Sequence, residues 1–274
     1  MTEQRMIAVN GYEIAVRIRG DGPPVLMGHS LTFDSRMFDA QVAALQDKFP
    51  LIQIDLPGHG DSGTPKEYFT LEEIADDLAE LMDQLGVKKA AWVGHSLGGM
   101  VGMRLALQHP DRVSAIALLN TSAEAENPQM RDLYHHVNET SRGKPSDAKT
   151  VKFVLELMFS PSFIANQSDD VAPYEEMLFN PKDAEGVYRT AHAVIWRTSV
   201  LDDMTALRPP ALVLTSADDT SVPAHHGEAI LGKVPGARHI HLDNCAHMSC
   251  VEQPDAVADA LQSFFTGTPN WSEA

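Results

Sequence analysis

Cysteine is scarce in this chain. The 274 residues hold two, Cys245 and Cys250, too close in sequence for an obvious structural bridge. That scarcity excludes a disulfide scaffold and fits a reduced compartment. Basic charge is also scarce, with 21 Lys and Arg against 38 Asp and Glu, a formal net charge of −17. No basic block stands out, which argues against nucleic acid and anionic membrane surfaces as partners. No apolar run reaches the length of a membrane span. The residues after Met1 lead into no apolar signal region. A cytoplasmic location is therefore expected. There is no internal repeat.

What is present suits one large α/β domain. Hydrophobic residues make up 43% of the chain, enough for a sizeable core. Tyr12 to Ile18 alternates like a half-exposed strand between glycine turns. Val25–Met27, Leu51–Ile54, Ala91–Val93, Val113–Leu119 and Ala211–Leu214 are short apolar runs. Such runs fit strands buried on both faces of a parallel sheet. Helical patterns lie between or after them, at Met37–Lys48, Leu71–Leu85, Gly99–Gln108, His225–Leu231 and Asp255–Phe265. Strand–helix alternation predicts a doubly wound sheet. Residues 122–205 break the rhythm. Helical stretches around Gln129–Thr140, Asp147–Met158, Ala172–Phe179 and Ala184–Val200 occur there without a convincing strand. The expected organisation is a core of residues 1–121 and 206–274 with a helical lid at 122–205. The tail after Phe265 is expected to fray.

Gly94-His95-Ser96-Leu97-Gly98 carries the most chemical information. It joins a strand signal to a helix signal, the context a nucleophile elbow requires. Three fixed positions match by chance in about one chain in ten of this length, so the flanking elements give the motif its weight. A serine is inert at neutral pH unless a base takes its proton. Among twelve histidines, His247 stands between the last strand signal, Arg238–Leu242, and the terminal helix. That fits the chain order Ser, Asp, His. His239 and His241 alternate on one strand face and read as solvated. His135, His136, His225 and His226 read as surface residues, His109 as a helix-end residue whose charge needs no catalytic role, and His59 as a turn residue first and a site residue second. The acid should follow the strand Ala211–Leu214. Pattern reading favours Asp219 and leaves Asp218 as the alternative. Two backbone donors are needed for an oxyanion hole, and Leu97 N–H and Leu31 N–H are the candidates.

Taken together, these pieces resemble the α/β-hydrolase superfamily. Gly28-His29-Ser30-Leu31, Asp55 to Ser62, Gly94 to Gly99, Asp218-Asp219 with Pro223, and Ala246-His247 occur in that family's order. The resemblance implies an α/β-hydrolase fold: a mostly parallel sheet of eight strands flanked by helices, with a lid inserted after the sixth. Within the superfamily the chain is most similar to 3-oxoadipate enol-lactonases and related serine esterases. Ser30-Leu31 with Asp34 to Phe38, His109 to Val113, Leu119 to Ala123, and Ala246 to Pro254 carry this likeness. In enol-lactonases the second residue after the catalytic histidine is likewise Ser, and Glu-Gln-Pro follows. His29 departs from the asparagine common before that Ser-Leu, and the lid matches only loosely.

The resemblance implies a serine hydrolase of small esters or lactones that needs no metal or organic cofactor. An aspartate nucleophile, as in haloalkane dehalogenases, is excluded by serine at 96. Carbon–carbon hydrolases usually place tryptophan where Met248 stands. Other expectations share the same triad: a 3-oxoadipate enol-lactonase proper, a cofactor-free perhydrolase, or a slow-turnover ligand sensor. His29, Trp196 and Met248 are expected to line the substrate pocket. Leu133, Tyr134, Phe153, Leu157, Met158, Phe159 and Phe163 are further lid candidates. Arg189 and Arg197 are the lid cations best suited to a substrate carboxylate, although solvated helix faces are their first expected use.

Overall fold

The computed structural model describes residues 3–269 and 271–272. One sheet of eight strands organises them. In chain order the strands are β1 (Glu3–Val9), β2 (Tyr12–Arg19), β3 (Val25–Gly28), β4 (Leu51–Ile54), β5 (Ala90–His95), β6 (Val113–Leu119), β7 (Ala211–Ser216) and β8 (Arg238–Leu242). Their spatial order is β1-β2-β4-β3-β5-β6-β7-β8. β1 and β2 pair antiparallel, β2 joins β4 antiparallel, and every later pair is parallel. The central strands β3 to β7 are buried along their whole length, as continuous apolar runs require.

Helices cover both faces. The helices α1 (Asp39–Leu45), α2 (Leu71–Gln84), α3 (Leu97–Gln108), α9 (His225–Lys233), α10 (Ser249–Glu252) and α11 (Pro254–Thr266) belong to this layer structure. α2, α3 and α9 pack on one face, around Leu78, Met103 and Ile230. α1 and α11 pack on the other, around Val42, Leu261 and Phe264. α2 starts at a capping box, with the Thr70 side chain on Glu73 N–H and the Glu73 carboxylate on Thr70 N–H. Together these bonds satisfy two of the helix's otherwise unpaired donors.

Between β6 and β7 lie α4 (Pro128–Thr140), α5 (Ala148–Met158), α6 (Pro161–Asn166), α7 (Ser168–Phe179) and α8 (Ala184–Ile195), with no strand among the described residues. This helical stretch shares the apolar cluster of the α1–α11 face through Val151, Phe159 and Leu178. It is therefore packed onto the sheet domain rather than tethered beside it.

Three local expectations need correction. β1 has no expected counterpart, because Glu3 to Met6 are exposed at the sheet edge and carry no apolar alternation. α8 ends at Ile195 rather than Val200, and Val200 N–H donates to the Ala123 carbonyl instead. Of the tail expected to fray after Phe265, Trp271 is buried, with its ring 5.0 Å from Phe265, while residues 270, 273 and 274 lie outside the described residues.

β5 and α3 meet almost without space. A methyl group on Gly98 would overlap the Gly28 carbonyl, and one on Gly94 would overlap Gly98. Gly98→Ala is expected to cost about 3 kcal/mol or more through forced backbone shifts. The check is the thermal midpoint, which should fall by roughly 6 °C or more. An unchanged midpoint would mean the elbow is looser than described.

Candidate active site

The turn from β5 to α3 holds Ser96 at φ 51° and ψ −111°. A non-glycine residue there stores about 1–3 kcal/mol of strain. The strain is held by neighbours. Ser96 N–H donates to the Leu119 carbonyl at 2.9 Å, and the Thr121 hydroxyl donates to the Ser96 carbonyl at 2.7 Å. Ser96 lies on the wall of a cavity of about 190 Å³ between the sheet's C-terminal edge and the helices α4, α5 and α8.

His247 sits in the loop after β8 and is fully buried. Its Nδ1–H donates to Asp219 Oδ2 at 2.8 Å. With the proton fixed there, Nε2 carries the lone pair, and it has no hydrogen-bond partner among the described residues. The His247 carbonyl accepts from His95 Nε2–H at 2.8 Å, which links the histidine loop to the residue before Ser96. Asp219 follows β7. Its Oδ1 accepts Ser221 N–H and Val222 N–H at 3.0 and 2.8 Å. Its Oδ2 also accepts the Asn120 amide at 2.9 Å. Burial opposes the Asp219 charge, but His247, the Val222 N–H and the Asn120 amide outweigh it and hold the carboxyl below the ordinary range. Asp218 is exposed, and its N–H donates to the Cys245 carbonyl. Of the two adjacent carboxylates, only Asp219 bonds to His247.

Where the loop after β3 borders the cavity, at Ser30, Leu31 and Thr32, it presents one free backbone donor among the described residues. Ser30 N–H is taken by Met37 Sδ at 3.3 Å and Thr32 N–H by His59 Nε2 at 3.0 Å. Leu31 N–H, between them, has no acceptor among the described residues. Leu97 N–H, the first of α3, is likewise unpaired, as the N-terminal donors of a helix are. Gly98 N–H donates to the His29 carbonyl at 3.0 Å and ties the two loops together. Both N–H groups sit on residues of the same cavity wall as Ser96.

Two further histidines, His59 in a turn and His95 in the elbow motif, support this frame. His59 Nδ1–H donates to the Pro57 carbonyl, which leaves Nε2 to receive Thr32 N–H. Burial, with His29 beside it, pushes the His59 imidazole down to about 3, so it stays a neutral acceptor. Burial and nearby His247 likewise hold His95 down at about 3. Their adjacency to the motifs was the available signal.

The three expected pocket residues are corrected. None of them lines the cavity. His29 is fully buried beneath the loop, donating from Nδ1 to the Ser30 carbonyl and accepting Leu56 N–H at Nε2. Met248 is fully buried in the core of the α1–α11 face. Trp196 is 46% exposed on the outer surface, with the Arg131 guanidinium 4.8 Å over its ring. Its neighbours Ile195 and Arg197 face the cavity instead. Tyr134, Phe153, Leu157 and Met158 do line it, whereas Phe159 and Phe163 stack on one another and Leu133 is exposed. Arg197 is buried in an ion pair with Glu126 at 3.0 Å and donates to the Glu124 and Val194 carbonyls. Arg189 is outside the cavity lining and bonds Glu185 and the Pro65 and Lys66 carbonyls. His239 and His241 are exposed and share the Thr215 hydroxyl.

The profile of the alpha/beta hydrolase fold matches residues 23–254, most of the chain. The chain belongs to the α/β-hydrolase family. This α/β hydrolase is 26% identical over 245 residues to 3-oxoadipate enol-lactonase 2 of Acinetobacter baylyi, covering 89% of each chain. It is 28% identical over 249 residues to the putative carbamate hydrolase RutD of Caulobacter vibrioides, covering 89% of this chain and 90% of that one. Among solved structures it is similar to a thermophilic esterase from Thermogutta terrifontis, with TM-score 0.89, 27% identity, and coverage of 97% and 98%. Family membership and these relatives together support a hydrolase of small molecules. Among the described residues, no helix is long and apolar enough to cross a membrane.

Proposed function

We propose that this α/β hydrolase cleaves carboxylic esters or lactones through an acyl-enzyme on Ser96. The observation that carries the reading is the Asp219–His247 pair. A buried imidazole is fixed in one tautomer, and its free nitrogen belongs to the loop bonded to the nucleophile elbow. His247 Nε2 takes the Ser96 proton as Oγ attacks the carbonyl carbon. The carbonyl oxygen becomes an oxyanion that accepts from Leu31 and Leu97 N–H. As the intermediate collapses, His247 returns the proton to the leaving alkoxide. Water then gives a proton to His247 and attacks the acyl carbon, and as this second intermediate collapses His247 returns the proton to Ser96 Oγ, which frees the acid and restores both residues. Asp219 stays ionised throughout and stabilises the imidazolium. Residues 122–205 act as the lid that closes the cavity over this reaction.

The preferred substrate is a neutral ester or lactone. Arg197 is already neutralised by Glu126, which lines the same cavity, and apolar side chains form most of the remaining wall. Neutral esters are expected to outpace their carboxylate analogues in kcat/KM, at low and high salt alike. A panel of p-nitrophenyl esters, small lactones, an enol-lactone and a carbamate checks this. A strong preference for the anion that disappears in Arg197→Ala would overturn the neutral choice. Absence of turnover on every ester and lactone would overturn the reaction class.

A further inference from the structure

We propose that Asn120 and Ser249 are positioning residues that lock Asp219 and His247 into one unit; this rests on the reaction proposed above. Asn120 directly follows β6. Asn120 adopts φ 45°, a left-handed conformation that asparagine tolerates better than most residues. Its backbone N–H donates to the Leu214 carbonyl on β7, and its side chain is 2% exposed. Both ends of the amide are used. Nδ2 donates to Asp219 Oδ2 and to Ser216 Oγ, each at 2.9 Å. Oδ1 accepts the Ser249 hydroxyl at 2.7 Å.

Ser249 closes the circuit. It is fully buried, two residues after His247, and its backbone N–H donates to the His247 carbonyl at 2.9 Å. The bonds therefore form a ring. His247 Nδ1–H and Asn120 Nδ2–H converge on one carboxylate oxygen, and Ser249 bonds both His247 and Asn120. Each bond sets the next. A hydroxyl hydrogen aimed at Oδ1 fixes which way the amide faces, so its N–H₂ end points to Asp219. A second donor on Oδ2 lowers the basicity of that oxygen. The proton shared with His247 then stays on Nδ1, where the tautomer needs it.

Neither side chain reaches the cavity wall, so both act through Asp219. A positioning role makes a prediction that simple packing does not. Removing the Asn120 donor leaves the Asp219 charge less compensated, so protonated His247 gains stability. The acid limb of the kcat/KM profile should then move to higher pH. Of the other titratable groups near the pair, the Glu252 carboxyl on α10 is raised by burial, but it bonds Ser160 rather than Asp219 or Asn120, so loss of the Asn120 or Ser249 side chain removes no partner of it. His95 on β5 is held down at about 3, the Cys245 thiol after β8 is pushed up by burial to about 12, and Tyr134 on α4 is raised by burial and Glu126 to about 12.

The test compares Asn120→Ala, Ser249→Ala and Ser249→Thr with the unaltered chain, using a p-nitrophenyl ester. Unfolding midpoints and covalent labelling of Ser96 are measured on each protein. Both alanine variants should lose about 10- to 100-fold in kcat with little change in KM. Their acid limbs should move up. Ser249→Thr keeps the hydroxyl and should stay near the unaltered profile. An unmoved acid limb in both alanine variants overturns the proposal, as does a threonine variant as impaired as the alanine one. If Asn120→Ala does not fold, the two Ser249 variants decide. An unaltered chain that neither labels at Ser96 nor turns over ester contradicts the proposed reaction instead.

Discussion

Ser96→Ala is expected to lower kcat on a p-nitrophenyl ester by about 10⁶-fold while leaving the fold intact. The alanine methyl occupies the space of the serine Cβ, and the elbow bonds of Leu119 and Thr121 involve only the Ser96 backbone. What disappears is the nucleophile. The remaining rate should be the small residue that an oxyanion hole and substrate binding sustain without an acyl-enzyme. The measurement is a progress curve at high enzyme concentration, with the unfolding midpoint as control. A variant that keeps a tenth of the activity would mean that Ser96 is not the attacking group.

Asp219→Asn should cost about 10⁴-fold in kcat, as loss of the orienting carboxylate does in serine proteases. Asparagine fills the same space but can offer an N–H to His247, which favours the wrong tautomer. Asp218→Asn should change kcat by less than about threefold, because Asp218 is exposed and its side chain is not bonded to His247. Reversed effects would move the acid by one residue. A stability effect accompanies the first change. The Asp219 carboxyl is held below its ordinary value in the folded state. Its contribution to stability is therefore complete at neutral pH and fades as pH falls below about 4 and through the folded value. The stability gap between the unaltered protein and Asp219→Asn should narrow in acid.

The parts of this molecule legible in its sequence are those where a local pattern and its tertiary role coincide. β3 to β7 are buried on both faces, and continuous apolar runs announce that directly. The elbow is legible because strand, glycines and helix are all local to it. β1 escaped because an edge strand with an exposed Glu3, Gln4 and Arg5 needs no apolar alternation. α6 escaped because six residues are too few for a helical period. Tyr134, Phe153, Leu157 and Met158 are legible as wall residues, but the direction of Trp196 is not. At the end of α8 one step in sequence separates Ile195 and Arg197, on the wall, from Trp196, outside. Composition favours the tryptophan, and only packing decides its direction. The partners of His29 and His59, Leu56 N–H and Thr32 N–H, lie 27 residues away along the chain, so no local pattern shows what the two imidazoles hold. Asn120 was quoted as part of a likeness, yet its bonds reach Asp219 and Ser249 across 99 and 129 residues.

Covalent labelling tests the central claim most directly. A fluorophosphonate reacts with an activated serine and leaves others untouched, so it reads the nucleophile without knowledge of the substrate. Incubation of the protein with a fluorophosphonate probe, followed by digestion and mass spectrometry of the peptides, should show one adduct per chain, on Ser96. Prior alkylation of nothing is needed, since Cys245 and Cys250 are both buried. The adduct should be nearly absent in His247→Ala, which keeps Ser96 but removes its base. An adduct on Ser30 or Ser62, or no adduct on a folded protein, would contradict the account.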